Sequence, residues 1–202
     1  MTIIKVDALN KYYGLCPKGH DGHNEDMYLL ATKMLGQPVI SLQTGQTVAA
    51  LTSPVVKMES LELAALGCKS EGQRSSQVLM PRDIRQFARE GVIVDSKDDL
   101  SEPEDIVRLK PDLKRDFNPI GCQVVNESGH KLGRVSDYTV NISTFMIQKL
   151  YVHQPLMKSL LYSNLVIDRN QIAETAPKQI TVRDATVKDA LLGAKAAPRP
   201  GD

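Results

Sequence analysis

The fold is decided by a short stretch that occurs twice in the chain, first as Leu35-Gly-Gln-Pro-Val-Ile-Ser41 and again as Ile120-Gly-Cys-Gln-Val-Val-Asn126. With a gap of one residue in the alignment, the two copies then continue as Thr44-Gly-Gln-Thr-Val-Ala49 and Ser128-Gly-His-Lys-Leu-Gly133. Each copy predicts an apolar strand, a tight turn and a second strand, because glycine adopts the positive φ of such turns at little cost. The sequence therefore predicts an internal repeat that begins with a β-hairpin.

The two copies agree again near their ends. Pro81-Arg-Asp-Ile84 followed by Val92-Ile-Val-Asp95 corresponds to Arg169-Asn-Gln-Ile172 followed by Ile180-Thr-Val-Arg183. Both predict a strand end, a polar turn and a closing strand rich in β-branched residues, which favour extended structure.

Further strands are predicted inside each copy. Arg134–Ile142 alternates apolar and polar residues, and Met146–His153 does so more loosely, as half-buried strands do. Ser60–Leu66 fits a helix by propensity, but its position opposite the Met146 strand favours a strand. About five or six short strands in roughly 70 residues is a density typical of small barrels and sandwiches, so we expect an all-β fold.

The first copy begins Leu35-Gly-x-Pro-Val39, turns at Thr44-Gly45, and later shows Leu79-Met-Pro-Arg-Asp-Ile84 before Gly91-Val-Ile-Val-Asp95. These residues resemble the PRC-barrel domain, the small β-barrel of the photosynthetic reaction centre H subunit and of the C-terminus of the ribosome maturation factor RimM. The resemblance extends over residues 31–109 and 117–184. It implies two PRC-like barrels in tandem and a binding or assembly module.

The chain is accordingly divided into five segments. Its first residues mix glycine, proline and polar residues without periodicity, and its last residues are rich in alanine, proline and glycine, as loose termini are. We predict a flexible arm at 1–26, a first PRC-like barrel at 27–109, a linker at 110–116, a second PRC-like barrel at 117–186 and a frayed tail at 187–202.

The composition of the chain argues against direct binding of nucleic acid and indicates where the protein is located. Lys plus Arg number 25 and Asp plus Glu 24, so the chain as a whole has no electrostatic attraction to phosphate backbones. Aromatic residues make up 4% and Trp 0, which supplies few platforms for stacking bases. Three scattered cysteines, no signal-peptide core and no clean apolar run of about 20 residues predict a cytoplasmic protein without a transmembrane segment.

The motifs of catalysis are missing from the sequence. It contains no Gly-rich phosphate loop, no His-Glu-x-x-His, no Gly-x-Ser-x-Gly and no Cys-x-x-Cys. We therefore predict neither an enzyme nor a cofactor. Cys16, His20 and His23 are weak candidates for a zinc site that lacks a fourth ligand, and the alternative interpretation, a flexible arm that contains histidines, is the one we favour.

Two surface features suggest binding. The acidic stretch 95–105 is followed by a basic stretch, 108–115, and the pair is either a solvated connector or a docking strip for a charged partner. The loop 154–163 of the second copy is rich in large apolar residues, whereas the corresponding loop of the first copy is polar. Its large side chains pack against the barrels or contact a protein partner or a second copy of the chain. The partner-binding candidates are Leu156, Met157, Leu160, Leu161 and Tyr162.

These observations predict a non-enzymatic adaptor that mediates protein–protein contacts, with a homo-oligomer left open. One alternative is a ribosome-assembly or RNA-processing factor related to the RimM barrel, which would reach nucleic acid only through a ribosomal protein. Another is a small zinc-binding protein that uses the N-terminal arm.

Overall fold

The computed structural model describes residues 27–70, 72, 75–153 and 164–183. The predicted arm (1–26), the predicted tail (187–202) and the apolar loop 154–163 lie outside the described residues. The chain divides into two compact units. Of the described residues, the first unit contains those up to Asn118 together with Thr139–Ile147, and the second contains Pro119–Tyr138 and those from Gln148 to Arg183.

The first repeat is built from short strands, two short helices and several single 3-10 turns. In chain order these elements are β1 (Tyr28–Leu30), α1 (Ala31–Met34), β2 (Pro38–Ser41), β3 (Thr47–Lys57), β4 (Glu62–Lys69), β5 (Gln77–Leu79), a 3-10 turn (Pro81–Asp83), β6 (Ile84–Phe87), β7 (Val92–Val94), a 3-10 turn (Lys97–Asp99), β8 (Leu100–Ser101), 3-10 turns at Pro103–Asp105 and Val107–Leu109, and α2 (Lys110–Arg115).

The second repeat uses the same kinds of element. They are β9 (Gln123–Asn126), β10 (Lys131–Asn141), β11 (Met146–His153), β12 (Asn164–Asp168), a 3-10 turn (Arg169–Gln171), β13 (Ile172–Ala176) and β14 (Gln179–Val182).

The order of paired strands is the same in both repeats. It is β6-β7-β2-β3-β4-β5 in the first and β13-β14-β9-β10-β11-β12 in the second. One pairing in each is parallel, with Val39 opposite Val92 in the first repeat and Val124 opposite Ile180 in the second. The repeat predicted from the sequence is therefore present in the backbone.

Glycines form the predicted turns. Gly45 and Gly129 have φ of +68° and +81°, as expected for the tight turns after β2 and β9. Gly91 has φ of +148° and lies against the backbone of Pro38, where a side chain would collide with the Pro38 carbonyl oxygen. Glycine is therefore needed there for close backbone approach as well as for its dihedral freedom.

The mainly β prediction is confirmed, and Ser60–Leu66, which fitted both a helix and a strand, lies largely within β4. Two closed barrels are not confirmed. Closure requires the first and last strands of a path to pair with each other. Among the described strands, β6 pairs only with β7 and β13 only with β14, so each path remains open. No helix in this part of the chain is long and apolar enough to cross a bilayer.

Each unit has a core of alternating strand residues. In the first unit Val39, Val92 and Val94 are fully buried, because β2 and β7 turn every second side chain inward, and Leu79 is fully buried in β5, whose three residues are all buried. The segment predicted to be a linker forms α2, and Leu109, just before it, is 2% exposed and packs with Ala64, Ala65, Val78 and Met80. The fully buried residues of the second unit are Val124, Tyr138, Leu150, Val152, Ile167, Ile180 and Val182.

Candidate functional site

The first unit contains a cavity of about 300 Å³, named here the Arg82–Arg108 cavity. Its floor is apolar, because side chains of β4 and of the segments after β5 and β8 converge there. Four floor residues are 1–7% exposed, and they belong to or adjoin the cluster around Leu109. The apolar lining residues are Leu63, Ala64, Met80, Pro81 and Leu109.

The rim of the cavity is charged. Lys57 and Glu62 face each other across the β3–β4 hairpin, with Nζ of Lys57 3.0 Å from Oε2 of Glu62. Arg82 lies in the 3-10 turn after β5, and Arg108 lies in the turn before α2, one helical turn from Asp112. The rim therefore carries three cations and two carboxylates.

The two arginines are the less satisfied cations of this rim. Nε of Arg82 lies 3.5 Å from Oδ1 of Asp83, and the Arg82 side chain is 68% exposed. Arg108 has no ion pair within 4.0 Å among the described residues. Exposed single ion pairs contribute only about 0–1 kcal/mol, so the Arg82–Asp83 contact can be exchanged for a ligand at little cost.

The second repeat provides an internal comparison for this rim. The Lys57 carbonyl accepts a hydrogen bond from Leu61 N, and the Asn141 carbonyl accepts the equivalent bond from Phe145 N. Glu62 of β4 lies opposite Met146 of β11 in the sheet. Met146 is also the residue of the second repeat that corresponds to Glu62. Arg82 is the middle residue of its 3-10 turn, and its equivalent is Asn170. Thus Asn141, Met146 and Asn170 replace Lys57, Glu62 and Arg82 on a similar local backbone, and the fold itself does not require these charges.

The acidic and basic stretches predicted to form a connector or docking strip make contacts within the first unit. Arg85 donates to both carboxylate oxygens of Asp95, with Nε 2.8 Å from Oδ1, and this guanidinium holds the pKa of Asp95 below its usual value. Arg115 donates to Glu59. Part of the charge on these stretches is therefore compensated by residues outside them.

The cysteines of the described residues are packing residues, as expected for small buried thiols. Cys68 and Cys122 are both buried. Burial raises the pKa of the Cys68 thiol to about 12, and it also raises the pKa of Cys122. Neither side chain is a thiolate near neutral pH, so neither provides a ready nucleophile.

The other predicted site residues lie outside the described residues. These are the metal candidates Cys16, His20 and His23 and the partner-binding candidates Leu156, Met157, Leu160, Leu161 and Tyr162. In the part of the chain that the structure describes, no three His, Cys, Asp or Glu side chains are grouped as metal ligands.

The cavity itself was missed by sequence reasoning. In the sequence Arg82 belongs to a predicted polar turn and Arg108 to a basic stretch. No local pattern joins them to Lys57 and Glu62, because the four residues come from three separate segments that only the tertiary fold brings together.

In comparison with known proteins, the sequence matches no family model, and no curated protein is significantly similar to it. The resemblance to the PRC-barrel domain therefore depends on the residues quoted for it.

Proposed function

We propose that this chain is a non-enzymatic binding or assembly adaptor built from two PRC-like units, and that it mediates protein–protein contacts. The observation that carries the proposal is the Arg82–Arg108 cavity, an apolar floor inside a charged rim. Protein interfaces concentrate binding energy where one side chain of a partner fills such a desolvated pocket and the surrounding contacts exclude water.

The repeated backbone supports the same function. Both repeats have the same strand order, yet among the described residues Lys57, Glu62 and Arg82 of the rim correspond to uncharged residues in the second repeat. Duplication of a scaffold followed by divergence of its surface is the pattern expected when the fold supplies rigidity and the surface supplies recognition. Large exposed hydrophobic residues, among them Leu42, Val107 and Val166, offer further contact area.

Site-specific photocrosslinking in the native cell tests this function. A photoreactive amino acid is placed singly at Leu42, Val107 or Val166, which are 68%, 74% and 42% exposed, and at Lys131 as a control on an exposed polar residue. We expect at least one of the three apolar positions, and not Lys131, to give a discrete adduct that mass spectrometry identifies as a specific protein. Absence of a protein adduct from all three positions would contradict the adaptor function.

A further inference from the structure

We propose that the Arg82–Arg108 cavity binds a segment of a partner protein in which a large aliphatic side chain is flanked by a carboxylate. This inference rests on the proposed adaptor function and names the chemistry of its partner. The aliphatic side chain occupies the apolar floor, and the neighbouring carboxylate pairs with the two arginines.

The floor selects an aliphatic side chain because it offers no charged group. Leu63 and Leu109 are 1% and 2% exposed, and Met80, at 7%, adds a flexible thioether that adapts to different shapes. The volume, about 300 Å³, is at the lower limit of ligand pockets, which range from roughly 300 to 1,000 Å³. It suits one large side chain and its adjoining backbone, and it is too small for a dinucleotide or a similar cofactor.

The rim selects a negative charge next to that side chain. Lys57 and Glu62 neutralise each other through their 3.0 Å ion pair, whereas Arg82 has one long contact and Arg108 has no ion pair among the described residues. A guanidinium presents paired N–H donors that match the geometry of a carboxylate. Asp112, the other carboxylate of the rim, takes part in no ion pair among the described residues, so two arginines stand against one uncompensated carboxylate. The charge complementarity of the rim therefore favours an acidic partner.

The surroundings of the cavity favour an extended partner over a small free acid. Val107, next to Arg108, is 74% exposed and provides an apolar surface outside the cavity. A peptide that fills the cavity with one side chain can cover Val107 with a second, whereas an isolated small carboxylic acid cannot reach both.

Fluorescence anisotropy with the full-length chain provides the test. The probe is a labelled peptide, blocked at both ends, that has one leucine between two glutamates in a glycine–serine background. We expect saturable binding that weakens as salt is added. Replacement of the glutamates by glutamine is expected to weaken binding about tenfold or more, since a charge-assisted hydrogen bond is lost. Replacement of the leucine by alanine is expected to weaken it by a similar factor.

Matched protein variants locate the binding. Arg82→Gln and Arg108→Gln are each expected to weaken binding of the peptide about tenfold, whereas Arg85→Gln, also an exposed arginine, leaves it unchanged. A triple variant, Lys57→Asn, Glu62→Met and Arg82→Asn, installs the residues of the second repeat. It is expected to keep the circular dichroism spectrum of the parent and to lose binding.

Equal affinity for the glutamate and glutamine peptides would overturn the inference, as would unchanged binding by the Arg82→Gln/Arg108→Gln double variant. Binding of a single-stranded RNA or of anionic vesicles that this double variant abolishes, in a protein that ignores the peptide, would also overturn it in favour of a phosphate-bearing partner. If the peptide fails while a photocrosslinked protein persists in the double variant, the adaptor function stands and only this assignment of the cavity falls.

Discussion

Replacing Gly91 by alanine tests the close approach of Gly91 to the backbone of Pro38 in the first repeat. Gly91 immediately precedes β7, and its φ of +148° is one that residues with a side chain rarely adopt. An added Cβ would overlap the carbonyl oxygen of Pro38 and stand 2.8 Å from Cγ of the same residue. Pro38 begins β2, so relieving the overlap must move the strand that pairs in parallel with β7.

Two separate effects determine how far Gly91→Ala lowers the free energy of unfolding. A strained backbone conformation costs about 1–3 kcal/mol, and forcing extra volume into a packed site costs about 1–3 kcal/mol more. Alanine also lowers the conformational entropy of the unfolded chain, which stabilises the folded state by about 0.4–1 kcal/mol. We therefore expect Gly91→Ala to lower the free energy of unfolding by about 3 kcal/mol, the middle of a range of about 1–6 kcal/mol.

Gly45→Ala is the matched control, because Gly45 also has positive φ, +68°, but nothing lies within 4 Å of its added Cβ. It keeps a positive φ, at a smaller cost than that of +148°, and removes the collision, so we expect a loss of only about 1 kcal/mol. Urea unfolding followed by far-ultraviolet circular dichroism measures both variants, since the chain has no tryptophan to report by fluorescence. Equal midpoints for Gly91→Ala and Gly45→Ala, at equal m-values, would refute the close approach to Pro38.

Three further predictions concern stability. Leu150→Ala should lower the free energy of unfolding by about 2–5 kcal/mol, because Leu150 is fully buried, and a loss below about 1 kcal/mol in urea unfolding would contradict that burial. The raised pKa of Cys68, about 12 in the folded chain against 9.0 for the free thiol, stabilises the fold below pH 9, and this contribution disappears as the pH rises toward 12. Unfolding curves at pH 8 and pH 11 should therefore differ less in Cys68→Ala than in the parent, and equal differences would argue against the shift. Asp116 is the residue that caps the C-terminus of α2, and its φ is +45°. Glycine adopts this left-handed conformation more readily, so Asp116→Gly should raise the free energy of unfolding by about 0.5–1 kcal/mol. An equal gain from Asp116→Ala would show that the left-handed conformation is not the cause.

The hairpins could be predicted from the sequence because their signals are local. A glycine between two apolar runs specifies its own turn, and Gly45 and Gly129 have the positive φ that this pattern requires. The strand at 62–69 could also be predicted, although its residues favour a helix, because the repeat places it opposite β11 in the alignment. Position in the repeat outweighed the propensity of the individual residues.

The pairing of the outer strands and the cavity could not be predicted in the same way. Barrel closure depends on contacts between strands far apart in the chain, and no local pattern states whether β6 meets another edge. The arginines of the cavity are 26 residues apart in the sequence, at 82 and 108, and their meeting depends on how the turn before α2 packs on β4. The periodicity of apolar residues predicts which face of a strand is buried. It does not predict which loops come together above that face.

The comparison between repeats separates what the backbone requires from what it permits. Leu61 and Phe145 both take positive φ, +50° and +56°, although neither is glycine, and Leu63 N and Ile147 N donate to the Phe145 and Leu61 carbonyls in return. These reciprocal hydrogen bonds hold the two turns in a conformation that their side chains alone disfavour, so the conformation belongs to the fold. The charges that flank one of the turns have no such role, because the other turn forms the same bonds without them. A residue that varies between equivalent positions of one scaffold, yet lies on the rim of a cavity, is therefore where recognition should be sought.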